Sequence, residues 1–519
     1  MSNPARQAAT LGWPASYNVR DYGASGQKAG SAQAAIQQAI DACAAAGGGV
    51  VYFPPGDYTT GTLHLRSNLR LYLEAGATVY ASKEPAAFDK RALFYGEDLQ
   101  HITLEGHGVV EGQAEYVWSL MAHRDMYILS NQVLAEQNGV SLMRPFPTEN
   151  SIGNLVLLIR CQDVQILNLT FLHSPSWTMH LWGCERLVLD GLYIHNDMQD
   201  SVWGDGVDPD GCRDLRISNC TIETGDDALV FYSGNSFGPA RPCENITVSN
   251  CRLSSSSSAL KFCDGNQNAI RNVTIDNCVI SGANRGLAFM LFAGGILENV
   301  VVSNCTIECQ RFDWFWWGDG DPIHFNLIQH SDLDPSMDMS QNRPPGIMRN
   351  IILSNIIARG PGPNKIHGHK DSPLENVTFD NVRLTISADP HSPWKKGQHA
   401  LAIDNVRNFS LKDVQITWEA PALDHWQSAL TVENAHDLTL EGVSARQGLD
   451  APEAPAVVFK NVHGAVVRDC QAQPGTGAFL HIADAATEDV VLWGNDLRQA
   501  KVAVTTAPEA NPSAVQAGW

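Results

Sequence analysis

Asn245-Ile-Thr-Val-Ser-Asn250, Asn272-Val-Thr-Ile-Asp-Asn277 and Asn299-Val-Val-Val-Ser-Asn304 are three copies of one six-residue phrase, and their regular spacing decides the fold. Looser copies close at Asn168, Gly191 and Asn219 upstream and at Asn355 and Asn381 downstream. The eight closing residues are 23, 28, 31, 27, 27, 51 and 26 residues apart. Weaker copies close at Asp413, Gly442, Asp469 and Gly494, after steps of 32, 29, 27 and 25 residues. Each copy alternates aliphatic and polar side chains with the period of a strand and ends on Asn, Asp or Gly, which suit a tight corner. No 3.6-residue period runs through them. A repeat of this length marks a solenoid. Strands this short, joined by corners too tight for crossover helices, satisfy their backbones by stacking coil on coil. The expectation is an all-β chain, a single-stranded right-handed parallel β-helix of more than about ten coils.

Inward Val, Ile, Leu and Cys then form ladders along the axis. Cys220, Cys251, Cys278 and Cys305 each follow a corner Asn and read as a buried thiol stack. No Cys-x-x-Cys spacing occurs, and no metal or cofactor is expected. The 51-residue step holds either one degenerate coil or a large loop. Ala32 to Ala46 has the apolar spacing of one amphipathic helix, which would cap the end of the hydrophobic stack. The expected organisation is an N-terminal extension (1–16), a β-helix domain (17–500) and a C-terminal tail (501–519) without strand pattern. Within the domain, a helical insertion is expected at about 114–140 and a Trp-rich loop at about 310–345.

A formal charge of −21 over 519 residues argues against nucleic-acid binding, which needs clustered Lys and Arg. No run of 18 apolar residues exists to span a membrane. The first ten residues lack an apolar signal core, so a cytoplasmic chain is expected, or a secreted or periplasmic one if a leader was removed. The reducing cytoplasm agrees with cysteines that look unpaired. Oligomeric state is left open.

Residues 203–227 concentrate the acids. Asp205, Asp208 and the Asp226-Asp227 pair fall about one repeat apart, so Asp205 should lie one strand spacing, about 4.8 Å, plus a lateral offset from the pair. Like charges held that close drive their pKa values apart, which supplies one protonated acid and one ionised base at the same pH. Adjacent strand residues face opposite sides, so Asp226 and Asp227 share a face only if the backbone kinks, and Gly225 is the residue that would permit it.

Tyr17-Asn-Val-Arg-Asp-Tyr-Gly-Ala24, Gly47-Gly-Gly-Val-Val-Tyr-Phe-Pro-Pro-Gly-Asp-Tyr58, Leu71-Tyr-Leu-Glu-Ala-Gly-Ala77, Ser174-Pro-Ser-Trp177-Thr-Met-His180 and the Asp205/Asp226/Asp227 set together resemble glycoside hydrolase family 28, the polygalacturonase family. The resemblance covers residues 17–385 and implies a pectin lyase-like β-helix. It also implies an inverting hydrolase of pectin-like or related acidic oligo- or polysaccharides, with Asp226 as general acid and Asp205 and Asp227 holding and deprotonating the water. An inverting pair usually stands about 6.5–9.5 Å apart.

Two departures bear on specificity. The family's Gly-His-Gly falls on a serine run, its His near Ser257, and its Arg-Ile-Lys, which grips the substrate carboxylate, falls on Ala288 and Met290. Ordinary endo-polygalacturonase action is therefore not expected, and Lys261 or Arg285 would supply positive charge instead. If Ser257 faces out, alternation puts Ala259 and Lys261 on the same outer face.

Other residues have two readings each. Asp208 is either a site acid or a turn residue, and His180 either shapes the subsite floor or is a satisfied surface histidine. Lys261 and Arg285 either touch substrate or pair with the acids. Trp314–Trp317 stack on a sugar or bury against a coil, with Trp317 and Asp319 the nearest candidates for contact. A lyase or epimerase on the same fold and a non-catalytic carbohydrate-binding solenoid are the competing functions.

Overall fold

The computed structural model describes residues 15–116, 118–122, 139, 141, 143–147, 152–262, 265–312, 318–333, 342–392, 397–511 and 513–518. They fall into two compact units, one of residues 1–123 and 142–255, the other of 124–141 and 256–519. Each is a stack of parallel strands wound as a right-handed β-helix, the hand that parallel crossovers adopt.

In the first unit the inner row runs Ile166, Leu189, Ile217, Val248, each directly opposite the next and all buried. The corners explain the closing residues of the repeat. Asn168, Asn219 and Asn250 have φ of 56°, 57° and 56°, a left-handed conformation that costs most side chains roughly 1–2 kcal/mol and that Asn relieves by local hydrogen bonding. Asn250 donates its amide to Asn219 Oδ1 at 3.3 Å, so the corners bond to one another along the stack. The helix Gln33–Ala45 forms where the apolar spacing placed it and buries Ile36, Ala39, Ile40 and Cys43 at i, i+3, i+4 and i+7. It packs on the strands Ser16–Asn18 and Gly49–Phe53 and covers the apolar end of the stack.

In the second unit one inner row runs Ile275, Val302, Leu353, Phe379, Leu411, Leu440, Val467, Leu492. Beside it Phe262, Phe289 and Phe325 stack with centroids 4.8 Å and 4.1 Å apart. The opening Asn of each phrase is a second left-handed corner, and Asn299, Asn350, Asn376 and Asn408 each donate to the Asn one coil before. Across the 51-residue step Val302 pairs directly with Leu353, so the step is one lengthened coil that includes the strand Asp321–Leu327; residues 313–317 and 334–341 of it lie outside the described residues.

Cys220, Cys251, Cys278 and Cys305 are buried and unbonded, each thiol donating to the carbonyl two residues earlier. Two sequence expectations are corrected. Trp118–Ala122, expected to be helical, is a strand paired antiparallel with Met143–Pro147; residues 123–138 of that insertion lie outside the described residues. The tail past residue 500 is not patternless. Ala500–Thr506 and Val515–Gly518 add strands to the stack, with Val504 against Leu480 and Ala517 against Leu492, because the last coil offers unpaired backbone donors and acceptors to whatever follows. No helix among the described residues is long and apolar enough to cross a membrane.

Candidate active site

Asp205 lies just before the strand Val207–Asp210, and Asp226-Asp227 lie in the bend between the strands Thr221–Thr224 and Leu229–Phe231. The pair is thus outside regular strand, which is why both carboxyls reach one patch. Gly225 is needed for space and not for an unusual φ: a Cβ there would stand closer than 3.0 Å to the carbonyl oxygens of Ser201 and Asp197. Gly204 is crowded in the same way by Ser201.

Hydrogen bonds fix the acids from both sides. Thr178 N donates to Asp205 O at 2.9 Å and Gly206 N to Asp227 O at 3.0 Å, so Asp205 is held between the coil before it and the coil after. The buried Asn196 amide donates to Thr178 Oγ1 and Gly204 O, both at 2.9 Å, and its oxygen accepts from Ser174 N at 2.8 Å. The carbonyl of Asp226 accepts from Thr224 Oγ1 and Ser255 Oγ, both at 2.6 Å, while its carboxylate accepts from Asp227 N at 2.9 Å.

One carboxylate oxygen from each of Asp205, Asp226 and Asp227 lies within 4.8 Å of the others, with Asp205 and Asp227 buried and Asp226 half-buried. These are distances between the facing oxygens of the three groups. An all-oxygen set of this kind can share a proton and a water, and its donors would also suit a hard divalent cation.

Asp208 lies beneath them. It is fully buried, and burial, followed by the charges of Asp227 and Asp226, pushes its carboxyl well above the usual carboxylate range. No N–H or hydroxyl among the described residues reaches either of its oxygens, and its hydrogen-bonding neighbour is the carboxyl of Asp205.

His180 stands directly opposite Asp208 in the ladder, buried, its Nε2 3.3 Å from Asp210 Oδ2. Trp177 packs edge-on against it at 4.8 Å. Both belong to the wall of a cleft of about 840 Å³ in the first unit.

The remaining candidates are in the second unit. Ser257 is buried, and its carbonyl accepts from Arg285 N at 2.8 Å. Leu260 and Phe262 point inward, so Ala259 and Lys261 point outward, and Lys261 is half-buried. Lys261, Ala288, His324 and Lys365 form one outward column in successive coils. Crowding by surrounding protein, set against the charges of Asp404 and Asp321 and reinforced by Arg285, lowers the Lys365 pKa, although the side chain keeps solvent contact. Arg285 is enclosed, with Nε 3.9 Å from Asp321 Oδ2 and Nη1 3.8 Å from Met290 Sδ; Asp321 is not one of the acids it was expected to pair with. Asp319 is buried beside it, its N–H donating to Asp321 Oδ1. Trp317 lies outside the described residues.

The sequence reading missed Thr224, Ser255 and Asn196, which have no signal of their own in a serine- and asparagine-rich chain. Asp210 was legible. It lies two residues after Asp208, and period-2 alternation puts both on the outer face, where Asp210 fixes His180.

A parallel β-helix carrying three convergent carboxylates on its outer face is the class of protein that fold and site define. The sequence profile of the glycosyl hydrolases family 28 matches residues 43–308, and the chain belongs to that family. It is 28% identical over 207 residues to a probable polygalacturonase of Vitis vinifera, an alignment covering 36% of this chain and 38% of the relative. It is 26% identical over 266 residues to an exo-poly-α-D-galacturonosidase of Dickeya chrysanthemi, covering 43% of each. The chain thus spans about two-fifths of the length of these curated relatives. The crystal structure of a hyperthermoactive exopolygalacturonase from Thermotoga maritima superposes with a TM-score of 0.58 at 19% identity, over 78% of this chain and 91% of that one, and shares the fold.

Proposed function

We propose that the protein is a glycoside hydrolase that cleaves glycosidic bonds in pectin-like or related acidic oligo- or polysaccharides. Asp226 is its general acid, and Asp205 with Asp227 binds and deprotonates the water. The observation that carries this is the three-carboxylate patch itself: one acid half-open and clamped through its own carbonyl, two buried, all within 4.8 Å. Mutual repulsion in such a patch favours a proton on one member and charge on the others. The half-open acid faces the leaving oxygen, while the two buried acids hold the water. Family membership supports inversion at the anomeric carbon, and the polygalacturonase relatives support a galacturonate-containing chain. Ala288 and Met290, where a polygalacturonase offers cations, support a preference for short or chemically modified chains over plain polygalacturonate, with Lys261 holding any acidic group that is bound. A desolvated carboxylate without a cation is a costly buried charge.

A retaining mechanism, in which one of the three convergent carboxylates attacks the anomeric carbon, is the second reading. Following the anomeric proton of the first-formed reducing end by NMR separates the two. The axial-to-equatorial change supports inversion, and an unchanged anomer replaces it with retention. A product absorbing in the ultraviolet, with a new reducing end whose oxygen comes from the substrate and not from water, would show a lyase and overturn both.

A further inference from the structure

The first unit carries, next to its acids, an open cleft of about 840 Å³, the size of a small-ligand site. Two features join cleft and acids. Trp203 on its wall precedes Asp205 by two residues, and His180 on its floor stands directly opposite Asp208. Most of the lining is carbon: Tyr95, Leu157, Ile159, Trp177, Trp203 and Phe237. Trp203 and Phe237 are 49% and 38% exposed, a degree of solvent contact that large apolar rings rarely keep on both sides of a cleft without a use.

The charged groups that face this cleft are engaged or at its edge. The Lys90 ammonium stands over the Tyr95 ring, 4.9 Å from its centroid. Glu97 accepts from the Tyr95 hydroxyl and from Arg160. His180 is held by Asp210, and Arg91 is exposed at the rim, where water and salt screen it. A carboxylate seated against the walls would be desolvated without a fixed cation on the floor. An uncharged sugar ring would lay its C–H face on an aromatic ring and keep its hydroxyls toward the wet rim.

The Phe237 wall is also set before any ligand arrives. Asp210 accepts from Gly234 N at 2.7 Å through one oxygen and meets His180 with the other. Gly238, at φ 144°, lies so close to the Trp182 ring that a Cβ would be 3.1 Å from it. The segment between them is thereby pinned, with the Phe237 ring 5.5 Å from His180 and 6.0 Å from Trp182. Rigid aromatic walls lower the ordering cost of binding.

We infer that this cleft is a subsite for an uncharged hexosyl residue, either a neutral sugar or a uronosyl residue with an esterified carboxyl, with Trp203 and Phe237 as its aromatic walls. The inference rests on the glycosidase reading only for the chain that presents the residue. The test is tryptophan-fluorescence titration of the full chain carrying Asp226→Asn with galactotriose, methyl-esterified trigalacturonate and free trigalacturonate. At least one uncharged probe is expected to bind about tenfold or more tightly than the free acid, and which one identifies the source. Trp203→Ala weakens that binding about tenfold and Trp203→Phe restores most of it. Equal or tighter binding of free trigalacturonate overturns the inference, as does an unchanged affinity in Trp203→Ala. If the binding order holds but the unsubstituted protein cleaves no pectic substrate, the subsite stands and the glycosidase reading falls. If cleavage occurs without any dependence on Trp203, the subsite alone falls.

Discussion

Replacing Asp226 with asparagine separates shape from protonation. The side-chain oxygen of Asn keeps the acceptor for Asp227 N, and the backbone clamp from Thr224 and Ser255 does not involve the side chain. The substitution at this half-buried position therefore changes stability by about 1 kcal/mol or less. What it removes is the acid proton. Positioned general acid catalysis contributes about 10²–10⁴ in rate. At about 1.36 kcal/mol per decade that is roughly 3–5 kcal/mol of transition-state stabilisation. The assay is release of reducing ends under kcat conditions, with a thermal melt of each protein alongside. The expected result is turnover down at least a hundredfold at an unchanged melting temperature. A variant that keeps more than about a tenth of the wild-type turnover would refute the assignment of Asp226 as the acid, because no positioned proton donor contributes so little. Loss of activity with a collapsed melt would leave the role to a second variant, Asp226→Glu, expected to keep the proton and regain part of the rate.

Gly225→Ala pushes a methyl against the Ser201 and Asp197 carbonyls and displaces the loop that carries Asp205. The expected cost is about 1–3 kcal/mol of stability by denaturant melts, together with a larger loss in kcat than in substrate affinity. Asp208 has a raised pKa in the folded chain, so the folded state binds the extra proton and stability falls as pH rises from the unfolded carboxyl pKa toward the folded one. Asp208→Asn removes this slope, at most about 1.4 kcal/mol per pH unit, and makes the protein relatively more stable at neutral pH than at pH 4 compared with wild type; a slope unchanged between the two would show that Asp208 ionises in the folded state. Lys261→Ala raises KM for an acidic oligosaccharide with little change in kcat, the pattern of uniform binding, and an unaltered KM removes Lys261 from the substrate contacts.

The coil stack was legible because its physics is local and repetitive. Alternation sets which side chains turn inward, and Asn at the corner supplies the left-handed turn, so Asn168, Asn219 and Asn250 announce the bends without any knowledge of what they stack on. The second row of corners, opened by Asn299 and Asn350, is written at the other end of the same phrase. In the tail the Ala/Pro/Thr-rich composition masks the alternation of Val502 and Val504, and only the open edge of the preceding coil makes that alternation a strand.

At the site, the sequence alone determined which acids recur one coil apart, since a fixed period converts residue spacing into spatial adjacency: Asp205 and Asp227 are neighbours because the repeat makes them so. Tertiary structure decided everything that depends on distance and burial. It brought one oxygen from each of the three carboxylates within 4.8 Å of the others. It buried Asp208, where desolvation, not sequence position, pushes the carboxyl well above the usual carboxylate range. It engaged Arg285 with Asp321 and left Lys261 on the outer face. It also assembled an aromatic cleft from Tyr95, Trp177, Trp203 and Phe237, which lie far apart along the chain and meet only because successive coils and the loops between them converge. Periodicity encodes order along an axis. Solvent exclusion and side-chain convergence arise only once the coils are stacked.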